Sequence, residues 1–222
     1  MDRANKDPGV AALHRGRILD AAERLFAEKG FERASVDDLS RASGYSRRTI
    51  YAYFAGKDAL LAGVLARGLV SLRDELDAAL GAADAFLPRF RAAVTALRRY
   101  WDGHAYAAGV IRLADADGQA LREPDRETAE VLRLGAEVNG RLTQLVRDGQ
   151  WEGAVRAELN PALTACLLWT QLERLFVLAR TKGGYLERTA GIGADALPEY
   201  GVEQLLHGIA AHGPSQTGGA AG

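Results

Sequence analysis

Apolar positions near the start of the chain recur at helical spacing. Ile18, Ala22, Leu25 and Phe26 fall at i, i+4, i+7 and i+8, one stripe of a helix. They predict a helix from about Val10 to Lys29, closed by Gly30. The pattern then shortens. Ser35 is a good N-cap with Asp38 three residues on, an acidic variant of the capping box, and Val36 and Leu39 supply an apolar face. Gly44 falls where a sharp turn needs a positive φ. Ser46 caps a third helix whose buried side carries Ile50 and Phe54 at i, i+4, and Phe31 is expected to close this small core against them. The opposite side presents Arg47, Arg48, Thr49 and Tyr51. A short capped helix with a dry back and a donor-rich front has the shape of a DNA recognition helix.

Beyond this segment the helical period persists. A fourth helix is expected from about Lys57 into the low eighties, and a fifth over residues 89–103 with Phe90, Val94, Leu97 and Trp101 as its stripe. A shorter piece covers 105–114. Pro124 fits the first turn of a helix running to about Gly149 through Val131, Leu134, Val138, Leu142 and Leu145. Asn160 and Pro161 form a cap and first turn for a helix to Lys182 that is apolar on nearly every side, so a partner subunit is expected to cover its outer face. Residues 183–198 read as a loop and 200–211 as the last helix. No segment alternates like a strand. The fold class is therefore all-α: a three-helix domain over residues 10–56 and a larger helical domain over 57–212, with disordered tails at 1–9 and 213–222.

Composition changes this picture little. The 222 residues are 48% hydrophobic and 26% charged with a net charge of −1, as in an ordinary globular protein. Residues 1–60 carry two more Lys and Arg than Asp and Glu, and the remainder three fewer, so a local donor cluster matters more than overall charge. The single cysteine, Cys166, excludes an intramolecular disulfide, suits a reducing cytoplasm and reads as a core thiol. The first residues contain no continuous apolar stretch of the secretory kind, and no uninterrupted apolar run predicts a membrane span.

The segment from Ser35 to Lys57 closely resembles the DNA-binding domain of tetracycline-repressor-like (TetR family) regulators. The parts that match are Ser35, Ala42-Ser43-Gly44, Ser46-Arg47-Arg48-Thr49, Ile50, Tyr51-Ala52-Tyr53-Phe54, Gly56-Lys57-Asp58 and Leu60. Arg48 departs from the small residue that many members carry. The resemblance implies a homodimer on a roughly palindromic, inverted-repeat operator in double-stranded DNA. Arg47 and Arg48 become candidates for guanine O6 and N7, and Tyr51 for a base edge or phosphate. Tyr53, Lys57, Thr49 and the Ser35 hydroxyl are candidates for phosphates. Gly44 and Ser46 shape the turn.

The resemblance also implies an effector pocket for a small molecule in the second domain. Candidate lining residues are Trp101, His104, Tyr106, Trp169, Glu173 and Phe176. Glu173 stands out, because a carboxylate inside an apolar run needs a partner or a purpose; a pair across the dimer with Arg174 or Arg180 would make it structural. GQWEGAVRAELNP and the apolar helix after it resemble the family's C-terminal half, whose last two long helices form a four-helix dimer interface. That assigns roughly 160–181 and 200–211 to dimerisation, with Leu168, Leu172, Leu175, Leu205 and Leu206 as candidates.

Other signals fail on context. GIGADA at 191–196 has no preceding strand to make a dinucleotide-binding turn. DADG at 115–118 would put Leu113 and Pro124 at the first and last ligand positions of a calcium loop. His14, His104, His207 and His212 have no i, i+4 pairing and no second cysteine for a zinc site. No cofactor, metal or catalytic group is expected. The reading is a cytoplasmic, ligand-released repressor. The alternatives are a regulator without a small-molecule ligand, and an enzyme carrying a vestigial DNA-binding motif.

Overall fold

The computed structural model describes residues 7–104, 124–193 and 195–211. Among these the chain forms eight helices: α1 (Pro8–Lys29), α2 (Val36–Ser43), α3 (Arg47–Tyr53), α4 (Lys57–Gly81), α5 (Phe86–Gly103), α6 (Arg126–Trp151), α7 (Pro161–Ala190) and α8 (Ala196–Ile209). The expected short helix at 105–114 and the Asp-rich turn at 115–118 lie outside the described residues. The chain divides into two compact units, one of residues 1–73 and 102–136, the other of 74–101 and 137–222.

In the first unit, α1 starts at Asp7, whose side chain accepts from the Gly9 amide, and Gly30 ends it. Ile18, Ala22, Leu25 and Phe26 are buried as their spacing requires, and Leu39, Ile50 and Phe54 join the same core class. Phe31 does not close the core as expected. It is half-buried and stacks edge-on against Phe26 at 5.3 Å, with the Lys57 ammonium 4.3 Å from its ring centre. Phe54 is instead covered by the Arg15 guanidinium at 4.2 Å.

Along the rest of the chain, several boundaries differ from the sequence expectation, each for a local reason. α5 and α8 begin earlier than expected because Pro88 and Pro198 sit within their first turns, where proline removes no helical hydrogen bond. Asp125 caps α6 by accepting from the Thr128 amide at 2.7 Å, so Pro124 precedes that helix and does not sit inside it. α7 continues through Gly183 and Gly184 to Ala190 and stops at Gly191. A glycine inside a helix costs about 1 kcal/mol but does not by itself end it, and Gly183 is buried on the inner face.

The start of α5 is pinned to the end of α6. The Phe86 amide donates to Glu152 at 2.6 Å, and Arg89 reaches Asp148 at 2.9 Å and also Glu152. Gly149 makes this approach possible. A Cβ there would lie 2.5 Å from the Phe86 ring and 2.6 Å from Val155. Gly149→Ala is accordingly expected to destabilise the chain by about 1–3 kcal/mol through overpacking. Each kcal/mol should appear as roughly 2–4 °C in Tm at this chain length. An unchanged Tm in a thermal melt would show that Phe86 can step aside.

The inner face of α7 is packed through Leu168, Leu172 and Phe176. Its outer stripe is open: Leu163 is 66% exposed, Leu167 58% and Leu178 44%. Cys166 belongs to this exposed side and is not a core thiol, because the core register falls on Ala165 and Leu168 instead. α7 is also long and apolar enough, by length and composition, to cross a membrane. The core helix of a soluble protein has the same composition.

Candidate nucleic-acid interface and ligand site

The turn between α2 and α3 follows from local chemistry. The Ser35 hydroxyl accepts from the Asp38 amide at 3.1 Å, and the Asp38 carboxylate accepts from the Ser35 amide at 3.2 Å, a complete capping box. Gly44 takes φ 73°, a left-handed conformation that glycine adopts without a Cβ penalty. Ser46 accepts from the Thr49 amide at 3.1 Å and starts α3. Asp38 also takes Lys29 and Arg41 as ion partners, which hold its carboxyl far below the ordinary range.

The front of α3 is a donor surface. Arg47, Arg48 and Tyr51 are exposed. Arg47 donates to Asp37 at 2.7 Å across exposed surface, whereas Arg48 makes no hydrogen bond or ion pair among the described residues. Other candidates are already engaged. The Ser35 hydroxyl donates to Asp38 at 2.8 Å, so its first role is structural. Thr49 Oγ1 lies 2.8 Å from Ser46 Oγ, and Lys57 Nζ donates to the Glu32 carbonyl at 3.1 Å. Tyr53 is half-buried.

Sequence reasoning missed what fixes α3 from behind. Arg15 on α1 donates to the Tyr53 carbonyl at 3.0 Å, the end of α3, and forms an ion pair with the buried Glu127 of α6. His14 Nδ1 lies 2.7 Å from the Tyr45 hydroxyl in the turn. Arg67 of α4 pairs with Asp20 at 2.6 Å and with Glu23. Arg15, Arg67 and Glu127 border a cavity of about 380 Å³ that Leu19, Gly63 and Arg126 also help to line. No sequence signal links Arg15 to a residue 112 positions away.

The ligand-site candidates divide. Trp101 and Trp169 come together with ring centres 5.4 Å apart, and Tyr100, which the sequence did not single out, touches both at 5.0 and 6.4 Å. Glu173 is one turn from Trp169 on the same face of α7, 7% exposed, and makes no hydrogen bond or ion pair with a described residue. Within the chain Arg180 donates to the Trp101 carbonyl at 2.7 Å. Phe176 borders a separate cleft of about 530 Å³ with Val94, Arg98, Pro198 and Val202. His104 lies in the first unit with Nε2 4.0 Å from Glu23. Tyr106 lies outside the described residues.

Burial raises the Glu173 carboxyl above its ordinary value, with a smaller opposing field from Arg174. A carboxyl that holds its proton more tightly when folded favours the fold at low pH. That stability is present below the unfolded pKa and lost as pH rises through the folded value. Glu173→Gln is expected to raise Tm at pH 7, because the glutamine carries no charge to desolvate. At pH 4 the two proteins should melt together. A variant less stable than the parent at pH 7 would show that Glu173 has a partner.

The dimer candidates also divide. Leu168 and Leu172, 6% and 2% exposed, are buried within their own chain on the inward register of α7, although Leu168 also edges the groove beside Leu167. Leu175, Leu205 and Leu206 are half-buried, and Leu175 packs against Gly201 of α8.

A capped two-helix turn with an exposed arginine-bearing second helix defines a helix-turn-helix DNA-binding protein. Residues 18–64 match the family model described as bacterial regulatory proteins, tetR family. A regulator of Mycobacterium tuberculosis named for mycofactocin biosynthesis is 45% identical over 60 residues, 27% of this chain and 30% of that one. The HTH-type transcriptional regulator UidR of Escherichia coli K12 is 25% identical over 158 residues, 69% of this chain and 75% of that one. Among solved structures, FadR of Bacillus subtilis in complex with stearoyl-CoA superposes with TM-score 0.63 at 17% identity, covering 87% of this chain and 98% of that one. Over residues 18–64 the chain carries the DNA-binding segment of a tetR-family transcriptional regulator. The match to the mycobacterial regulator spans under a third of that protein, so this chain's own targets and ligands are taken up below as proposals.

Proposed function

We propose that this chain is a repressor that binds an inverted-repeat operator as a homodimer and releases it when a small molecule enters its C-terminal domain. In this reading residues 10–56 read DNA in the cytoplasm, and residues 57–212 bind the effector and the partner subunit. The observation that carries it is the exposed Arg47–Arg48–Tyr51 front of α3, set on a completed capping box and anchored from behind by Arg15. Arg47 and Arg48 supply guanidinium forks for guanine edges, while Tyr53 and Lys57 set register on phosphates.

The open stripe of α7 supports dimerisation. Leu163, Leu167, Arg174 and Leu178 follow one helical face, and a groove of about 250 Å³ beside it is lined by Leu167, Leu168, Leu205 and Ile209. An exposed apolar stripe of this kind marks a protein contact. The Trp101–Trp169–Glu173 group supports an effector site of apolar walls with few polar groups. Solved FadR is in complex with stearoyl-CoA, a precedent for ligand binding within this fold but not for ligand identity.

Selection of the purified full chain against a random duplex library tests the reading. Enrichment of an inverted repeat is the expected result. No enrichment at low salt, where phosphate contacts are strongest, would overturn it.

A further inference from the structure

The cavity of about 380 Å³ in the first unit has an unbalanced polar lining: three arginines, Arg15, Arg67 and Arg126, against two glutamates, Glu127 and Glu130. Both glutamates are already taken. Glu127, 8% exposed, is the ion partner of Arg15. Glu130 accepts twice from Arg133, at 2.9 and 2.7 Å. Arg67 is engaged by Asp20 and Glu23, which are not among the described lining residues. Arg126, which is exposed, makes no hydrogen bond or ion pair among the described residues. It reaches Glu130 only through its field, a smaller effect there than the Arg133 hydrogen bonds. The cavity therefore holds a spare guanidinium fork and no free carboxylate to meet it.

We propose that this cavity is a second ligand site, sharing no residue with the aromatic group of α5 and α7, and that it takes a small organic carboxylate whose charge Arg126 meets. A guanidinium fork matches the two oxygens of a carboxylate. Because Glu127 and Glu130 are each neutralised by their own arginine, a further negative charge meets Arg126 first. Leu19, Val70 and Leu134 give the rest of the ligand an apolar wall. The volume lies near the small end of ligand pockets, which run from about 300 to 1,000 Å³. That suits an acid of metabolite size and not a coenzyme A thioester. An organic cation would face three guanidinium groups there. The site also touches the residue that fixes the DNA-reading helix. Arg15 borders the cavity, donates to the Tyr53 carbonyl at 3.0 Å and covers the Phe54 ring at 4.2 Å. A ligand against Arg15 is thereby linked to the placement of α3, and linkage makes operator and carboxylate alter each other's affinity by the same factor.

The experiment titrates benzoate, 4-phenylbutyrate and octanoate into the full chain by calorimetry, each beside its own primary amide as the uncharged control. The expected result is saturable binding of at least one acid, about tenfold or more tighter than its amide. Arg126→Gln should abolish that preference without moving the Tm of the unliganded chain, since the side chain is exposed and unpartnered among the described residues. Arg174→Gln, an exposed arginine outside the cavity, should keep the preference. Val70→Phe, at a half-buried position on the cavity wall, should block acid and amide alike. No saturable binding of any acid, equal binding of acid and amide, or a preference that survives Arg126→Gln would each overturn the proposal. The titration is repeated with the selected operator present, where the acid's dissociation constant should shift by about fivefold or more. An unchanged constant would overturn the link to α3. The effector reading of the second unit is tested separately in Arg126→Gln: a compound that still changes operator affinity there acts through another site, and that reading stands whatever becomes of this one.

Discussion

Arg47→Ala should weaken binding to the selected operator by about 5- to 150-fold, the loss of one bidentate base contact worth roughly 1–3 kcal/mol. Binding to unrelated duplex should fall much less. The asymmetry comes from Asp37. In the free chain Arg47 already donates to that carboxylate at 2.7 Å, with both side chains more than half exposed. In the proposed reading DNA binding exchanges Asp37 for a base edge, so Arg47 would contribute chiefly where a guanine repays the exchange. Asp37→Asn should do the reverse, raising affinity for every sequence and lowering discrimination, because the released guanidinium accepts any phosphate. Competition binding with operator and scrambled duplex at fixed salt measures both. An equal loss on both duplexes in Arg47→Ala would reassign that residue from base reading to backbone contact.

Leu163→Glu combined with Leu167→Glu should leave a folded monomer that no longer holds an inverted repeat. Both side chains are exposed within their own chain, so the substitutions remove nothing from its core, and helical content should be unchanged. In a two-fold interface each position counts twice. Four lost leucines at about 1.5 kcal/mol each, the lower end for burying such a side chain, amount to roughly 6 kcal/mol. That raises the dimer dissociation constant by about four powers of ten. Light scattering after size exclusion would read the mass directly. A dimer that survives both changes would place the interface elsewhere.

Local chemistry made the DNA-reading end legible from sequence. Ser35 with Asp38, Gly44 and Ser46 each act within three or four residues, and the structure has all of them in the expected roles. Asn160 and Pro161 open α7 for the same reason. Features set by distant packing were not legible. Which side of α7 turns outward depends on what α5 and α8 cover, so the inward Leu168 and Leu172 were indistinguishable from the outward Leu163 and Leu167. Gly183 and Gly184 looked like a stop, yet the residues after them are adequate helix formers and Gly191 is the true terminus. The hydrogen bond from Arg180 to a backbone carbonyl of α5 joins residues 79 positions apart and had no sequence signal.

The Arg15 anchor bears on protein engineering. Regulators of this kind invite chimeras in which one protein's DNA-reading helices are fused to another's sensing body at the start of α4. Here such a cut would separate Arg15 from Glu127, leaving a buried carboxylate in the recipient or a loose arginine in the graft. A working graft from this chain must therefore carry the segment around residues 126–134 with the first 73, so the transferable module is discontinuous in sequence.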